Sequence, residues 1–291
     1  MSWRIENATP LAVLRELPDG LAQTCVTSPP QWTRWQQTGG DDRAASRELY
    51  VRRMVEVMRE VRRVLRADGT AWVKLAEPRS ASGDLTGLPW QVVLALQADG
   101  WSLRRDIVVL QRNPPAERAG NRPVAAHGYL FLLSKQPGGY YYDAAATRER
   151  PARRQWPKRL SHAERLQHSR STRCAGSETQ RSWWRSSEST RRSAGAFPVE
   201  LVELCVLAGS AARACGACGA PYTRDSQGQL HPACRHHNPA GKSLVLDPFC
   251  GTGTTGLAAR GLGRGFLGIE PSNRSARLAR RRLARTTERT R

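Results

Sequence analysis

Two rhythms of apolar residues run along this chain, one of helical period and one of short buried runs. Leu11, Val13, Leu14 and Leu17 form a helical stripe that Pro18-Asp19-Gly20 ends, and Thr24-Cys25-Val26-Thr27 reads as a short strand running into Ser28-Pro29-Pro30. A longer amphipathic helix is predicted from Tyr50 to Leu65, its apolar face carried by Val51, Met54, Val55, Met58, Val61, Val64 and Leu65. Asp68-Gly69 stops it, and Thr70 to Leu75 is expected as a strand. The unit then repeats: a helix at Trp90 to Gln97, the turn Asp99-Gly100, and a strand at Ile107 to Leu110, followed by a buried strand at Tyr129 to Ser134. Helix, Asp-Gly turn and strand in succession predict an α/β protein whose parallel sheet is covered on both faces.

The rhythm stops between Arg148 and Arg192. There Arg and Lys outnumber Glu about threefold, with Trp156, Trp183 and Trp184 interspersed. This reads as a basic, irregular insert and as the candidate surface for target recognition. The core pattern resumes at Phe197-Pro198 with a helix from Val199 to Leu207. A cysteine-rich insert follows, then the strand Leu244-Val245-Leu246, a helix through Leu257-Ala258-Ala259, and the strand Phe266 to Ile269. An arginine-rich helix from about Ser272 to Thr286 closes the chain, anchored by Leu278 and Leu283. The segments predicted are a first half at 1–147, a basic insert at 148–195, a core helix at 196–213, a metal-ribbon-like insert at 214–241 and a second half at 242–291.

Charge sharpens this picture. The 291 residues carry 46 Lys and Arg against 25 Asp and Glu, a net charge of +21. Such an excess favours a polyanionic partner, most simply nucleic acid. No run approaches the roughly 18 apolar residues of a membrane helix, and Met1 to Glu6 lacks an apolar signal core. A cytoplasmic protein is expected. Seven cysteines, an odd number, argue against a disulfide framework.

Chemistry concentrates in Asp247 to Gly256, DPFCGTGTTG. A strand precedes it, a helix follows, and about twenty residues on a second strand ends in Glu270. This is the layout of a nucleotide-type cofactor site. Glycines let the backbone approach the ligand, and the acid can hold two ribose hydroxyls. No P-loop lysine follows the turn, so a phosphate ligand is the weaker reading. At the other end of the chain, Pro29 and Pro30 remove two backbone donors beside the Ser28 hydroxyl. The cluster of acceptors left there suits an exocyclic amine.

Together these motifs carry a resemblance. Thr27-Ser28-Pro29-Pro30 early and DPFCGTGTTG late look like the DNA amino-methyltransferases that act on cytosine N4 or adenine N6, in the motif order of the circularly permuted β class. Leu88 to Pro115, Arg122-Pro123, His127, the run Tyr129 to Lys135, and Phe197-Pro198 are also similar to that family. The resemblance implies a Rossmann-like methyltransferase sheet and S-adenosylmethionine as methyl donor. It places Asp247, Phe249, Gly251 and Gly253 along the donor, Thr254 and Thr255 at the helix start, Glu270 on the ribose hydroxyls, and Phe197 packed around the cofactor. It implies double-stranded DNA as partner, with a flipped base whose amine bonds to Ser28 and the Pro29 carbonyl. It leaves room for a restriction endonuclease partner. Serine at the first motif position leans toward cytosine N4; adenine N6, or a non-catalytic DNA-binding role on the same scaffold, are the alternatives. Three positions depart from the family. Gln31 stands where an aromatic residue usually stacks on the base, leaving Trp32 or Trp35 to supply that face. Asn7 follows Glu6 where Gly-Asp is usual and is placed against the cofactor adenine. Gly128 follows His127 where Glu is usual. Cys25 and Cys250 read as small core residues, not as nucleophiles.

Cys215-Gly-Ala-Cys218-Gly has the form of a zinc knuckle, and Cys234-Arg-His236-His237 supplies its second half. Cys215, Cys218 and Cys234 are the firm candidates for a structural Zn²⁺, with His236 favoured slightly over His237, and His231 less so. A loop of this length with few apolar residues needs such a staple.

Overall fold

The computed structural model describes residues 3–32, 46–80, 83–111, 123, 125–145, 183–186, 197–225, 227, 229–236, 238 and 240–286. Its elements are β1 (Trp3–Glu6), α1 (Pro10–Glu16), β2 (Ala22–Thr27), α2 (Arg47–Val64), β3 (Leu65–Leu75), α3 (Leu88–Ala98), β4 (Ser102–Gln111), β5 (His127–Ser134), β6 (Trp183–Ser186), α4 (Val199–Gly209), β7 (Tyr222–Arg224), β8 (Leu230–Pro232), β9 (Leu244–Asp247), α5 (Thr254–Gly261), β10 (Gly265–Ile269) and α6 (Asn273–Ala284).

Among the described residues, eight strands make one sheet in the order β1-β10-β9-β2-β3-β5-β4-β6, and β7 and β8 pair as a separate two-stranded ribbon. The late strands are therefore central. β9 lies beside β2, with Thr24 paired to Val245 and Cys25 to Leu246. From β9 the chain crosses to β10 on one side, and from β2 it crosses to β3 on the other. The crevice between β9 and β2, at their carboxyl ends, is where open α/β sheets bind ligands.

Two core layers follow from strand alternation. Cys25, Ala71, Val73, Leu75, Phe131 and Leu246 face α1, α2 and α3, while Val26, Trp72, Leu130, Leu132 and Val245 face α4, α5 and α6. In α2 the Ser46 side chain caps the first turn by accepting from the Leu49 N–H at 3.3 Å. Tyr50, Met54, Val57, Met58, Val61 and Val64 then recur on one buried face. Each such side chain contributes about 1.5–3 kcal/mol on burial, which outweighs the modest cap.

Three sequence expectations change. Asp68-Gly69 does not separate helix from strand: β3 begins directly at Leu65. The register passes from Ala22–Leu65 to Thr24–Thr70, so Arg66 to Gly69 bulge from the ladder inside the strand. Second, the sheet is not wholly parallel. β5 runs antiparallel to both β3 and β4, a direction that the apolar run Tyr129 to Ser134 does not encode. Third, part of the basic insert is regular: Trp183 to Ser186 pairs parallel with Val108 to Gln111 as the edge strand. Trp156 and the rest of that insert lie outside the described residues. No helix among the described residues is long and apolar enough to cross a membrane.

Candidate active site

Four strand ends converge at the carboxyl edge: β1 at Glu6, β10 at Ile269, β9 at Asp247 and β2 at Thr27. The link between the two sequence motifs is direct. The Thr27 hydroxyl donates to Asp247 Oδ1 at 2.6 Å, and the Phe249 N–H donates to the same oxygen at 3.1 Å. Thr255, at the start of α5, donates to the Val26 carbonyl at 3.3 Å. Asp247 and Thr255 therefore fasten the glycine turn to the strand that ends in Ser28. Burial drives the Asp247 carboxyl up to about 6, although the hydroxyls of Thr255 and Thr27 pull the other way.

The turn itself is open toward solvent at one glycine and closed against protein at the other. Gly251 has φ +51° with nothing within 4 Å of the direction a side chain would take. Gly253 caps α5 with φ +84°, and a Cβ there would lie 2.9 Å from Leu283 and 3.0 Å from Ala279 of α6. The first glycine leaves space for a ligand and the second is required by packing. Glu270 braces the turn, accepting from the Gly251 N–H at 3.0 Å and, with its other oxygen, from the Ser272 N–H at 2.8 Å. Asn7 donates to the carbonyls of Glu270 at 2.8 Å and Pro271 at 3.0 Å, which fixes the rim where β1 and β10 end.

Across the crevice, the Tyr50 hydroxyl donates to the Pro30 carbonyl at 2.9 Å. Neither the Ser28 hydroxyl nor the Pro29 carbonyl has a partner among the described residues. The acceptors expected from Ser28-Pro29-Pro30 are thus reduced to two, with the third used to anchor the loop on α2. Gln31 is exposed, while Trp32 is half-buried and packs against the first core layer together with Phe249. Trp35 lies outside the described residues. Phe197 is buried in the second layer at the start of α4, and Lys74 Nζ stands 5.8 Å from its ring centre. Thr254 is half-buried at the first turn of α5. Cys25 and Cys250 are buried, and burial raises both thiols well above their usual range. They have the character of core residues.

A model of the N6/N4 methylases, described as DNA methylase, matches residues 22–281. The chain belongs to this DNA methylase family. Among its relatives, the type II methyltransferase M.SmaI of Serratia marcescens is 30% identical, over 89% of this chain and 83% of its own. A DNA modification methylase from Thermus thermophilus, solved in complex with S-adenosyl-L-methionine, shares the fold with a TM-score of 0.60 and 24% identity, over 97% of this chain and 93% of its own. The cytosine-N4-specific PvuII DNA methyltransferase does so with a TM-score of 0.66 and 15% identity, over 96% of this chain and 86% of its own. The sheet of this methylase is thus the Rossmann-like methyltransferase sheet, and the class acts on exocyclic amines of DNA.

A second cluster of this methylase lies at the opposite edge of the sheet. Ligand atoms of Cys215, Cys218, Cys234 and His236 all lie within 4.8 Å of one another. The knuckle turns at Gly219, φ +69°, whose N–H donates to the Cys215 carbonyl at 2.8 Å. Burial raises the Cys215 thiol, but hydrogen bonds from the N–H groups of Cys218 and Ala217 and from the Cys234 and Cys218 thiols together outweigh it and bring the group down to about 6. His237 lies outside the described residues. His231 is turned away, bonded to Asp225 at 2.8 Å.

Sequence reasoning named Thr27 only as part of a motif and missed its bond to Asp247. It also missed Tyr50 as the anchor of Pro30, and Lys74. The one signal for Lys74 was a lone cation in the otherwise apolar stretch Trp72-Val73-Lys74-Leu75.

Proposed function

We propose that this methylase transfers a methyl group from S-adenosylmethionine to the N4 amine of a cytosine flipped out of double-stranded DNA. The observation that carries this reading is the junction of the two motifs through Thr27 and Asp247, which puts two acceptors, unpartnered among the described residues, beside an open glycine turn. The residues fit the donor. Glu270 presents a carboxylate at the end of β10, Gly251 leaves free space above the turn, and the N-terminus of α5 suits a methionyl carboxylate. Asp247, Phe249, Gly251, Gly253, Thr254 and Thr255 would line it, with Glu270 on its ribose, Asn7 at its adenine and Phe197 behind it. When bound, it supplies a methyl group on a positively charged sulfur.

The chain's own part is to prepare the amine. Ser28 and the Pro29 carbonyl accept the two amino hydrogens, which turns the nitrogen lone pair out of conjugation with the ring. Pro30, held by Tyr50, keeps those acceptors in place. Trp32 is the proposed stacking face in place of the exposed Gln31. Duplex DNA is incubated with the protein and labelled donor, then digested to nucleosides. N4-methylcytosine is the expected product. N6-methyladenine alone transfers the reading to adenine, and donor-independent DNA binding with neither product identifies a non-catalytic scaffold.

We further assign Cys215, Cys218, Cys234 and His236 to a structural Zn²⁺. Three thiolates and one imidazole are a soft, four-donor set of the kind that closes zinc sites. Elemental analysis of purified protein tests this, with about one zinc per chain expected and none in a Cys215→Ser, Cys218→Ser double variant. A restriction endonuclease of the same DNA specificity is proposed as partner. It is supported by the relatives' names as type II methyltransferases, and tested by whether methylated DNA resists such a nuclease.

A further inference from the structure

Lys74 is a cation that the fold leaves without a counter-charge among the described residues. It lies on β3, half-buried, between Val73 and Leu75 of the core. Among the described residues it makes no hydrogen bond or ion pair, and the face of Phe197 lies 5.8 Å from its Nζ. An ammonium carries three donors and no acceptor, and a ring face satisfies none of them as a hydrogen bond does. Burial accordingly lowers its proton affinity. A group in this condition is stabilised by an oxygen that arrives with a ligand.

Register says which ligand. Thr27 of β2 pairs with Val73 of β3, so Lys74 is level with Ser28. The strands are neighbours, about 4.8 Å apart, whereas Asp247, from which the glycine turn leads off, ends β9, two strands away or roughly 10 Å. Alternation puts Lys74 on the face shared by Trp72, Val26 and Phe197, the α4 side of the crevice. By strand order Lys74 is therefore nearer to Ser28 than to the turn assigned to the donor, although the ring it faces, Phe197, is also assigned to the donor's surroundings.

We propose that Lys74 hydrogen-bonds the ring carbonyl, O2, of the flipped cytosine, and so positions the base and discriminates against adenine. This rests on the cytosine reading above. Cytosine O2 shares the Watson–Crick edge with the reacting amine, one ring nitrogen away, and that separation is close to the spacing of adjacent strands, so one base spans from Ser28 and Pro29 on β2 to Lys74 on β3. Adenine presents no ring carbonyl, and a donor that the bound base would bury against one disfavours a base that lacks it.

The test compares wild type, Lys74→Met and Lys74→Gln on a duplex containing the sequence that the protein methylates, with either cytosine or 2-thiocytosine at the target. Lys74→Met is expected to lower kcat/KM for the cytosine duplex at least tenfold, with the Kd for S-adenosylmethionine, measured without DNA, within twofold of wild type. Lys74→Gln, which keeps a donor, is expected to recover part of the loss. 2-Thiocytosine, a poorer acceptor, is expected to slow wild type several-fold and to leave Lys74→Met unchanged; a lysine that merely packs gives both proteins the same response. Equal rates for wild type and Lys74→Met overturn the proposal, as does a loss confined to donor binding, which places the ammonium on the cofactor. Methylation by wild type of adenine and never cytosine overturns the cytosine reading itself, and is seen before any variant is made.

Discussion

The two edges of the sheet assemble chemistry in opposite ways. At the carboxyl edge, the residues that meet are remote in sequence: Thr27 and Asp247, hydrogen-bonded, are 220 positions apart. At the amino edge, Cys215, Cys218, Cys234 and His236 come from a single excursion between α4 and β9. β3 joins the two, with Arg66 bonded to the knuckle at one end and Lys74 beside Ser28 at the other, on the order of 20 Å apart along a strand. A site made of long-range contacts needs the whole sheet in place. A knuckle made of local contacts needs little beyond the zinc proposed for it. Damage to one edge should therefore leave the other largely intact.

Ser28→Ala is the sharpest way to strain this separation. Loss of the acceptor proposed for the reacting amine should lower kcat by about 10²–10³-fold, or about 3–4 kcal/mol of transition-state stabilisation. Donor affinity and zinc content should stay within twofold of wild type. Single-turnover methylation, calorimetry and metal analysis on one preparation check all three. A variant that also sheds zinc means that the edges are coupled.

Asp247 tests the same edge through pH. Its folded pKa of about 6 lies above its ordinary value of 3.8, with burial as the first cause. Between those values the native state holds a proton that the unfolded chain has released. The stabilisation is thus complete below about pH 4 and is lost as pH rises through 6, up to about 3 kcal/mol. Asp247→Asn, which keeps an acceptor for Thr27 and Phe249, removes this dependence. Its thermal midpoint, measured against wild type from pH 4.5 to 7.5, should rise in relative terms with pH. Parallel curves rule out a raised Asp247 carboxyl.

The amino edge predicts a different pattern. Cys218→Ser removes one of the four donors proposed for zinc and should cost about 2 kcal/mol, roughly 5 °C in midpoint. Methylation at 25 °C should keep at least half its rate. A collapse of donor binding in this variant would show that the knuckle braces the cofactor half and does more than close its own loop.

How much of this was legible in the sequence follows the same division. The grouping of Cys215, Cys218, Cys234 and His236 was readable, because residues written within one loop have their spacing in the sequence. The glycine turn and Glu270 were readable as a unit, since strand, turn, helix and strand are consecutive. What joined that unit to Ser28 was not. The bond from Thr27 to Asp247 exists because β9 inserts beside β2, and strand order is a property of crossovers, which periodicity does not encode. The reversal of β5 was hidden for the same reason, and so was the strand at Trp183, whose pairing with β4 is decided by an open sheet edge. The bulge at Asp68-Gly69 misled in a physical way. The dipeptide does turn the chain, but β2 recaptures it after Leu65 has already begun the ladder.

Arg66 offers the smallest and most discriminating test, because it lies on that bulge and faces the knuckle. Its guanidinium donates to Asp68 at 2.9 Å and to the Cys218 carbonyl at 3.2 Å. The side chains are partly exposed, so the pair with Asp68 is worth little by itself. The bond to Cys218 differs, since it reaches the backbone of a residue whose thiol is assigned to zinc. Arg66→Ala should therefore cost about 1 kcal/mol or less in global stability, while zinc is lost several-fold faster to a chelator. Arg66→Lys should restore the charge without the forked geometry that serves both partners, and so recover only part of the zinc retention. Methyl transfer should not change in either variant. If it falls in step with zinc loss, β3 transmits disturbance from the amino edge to Lys74 and Ser28, and the two edges form one cooperative site.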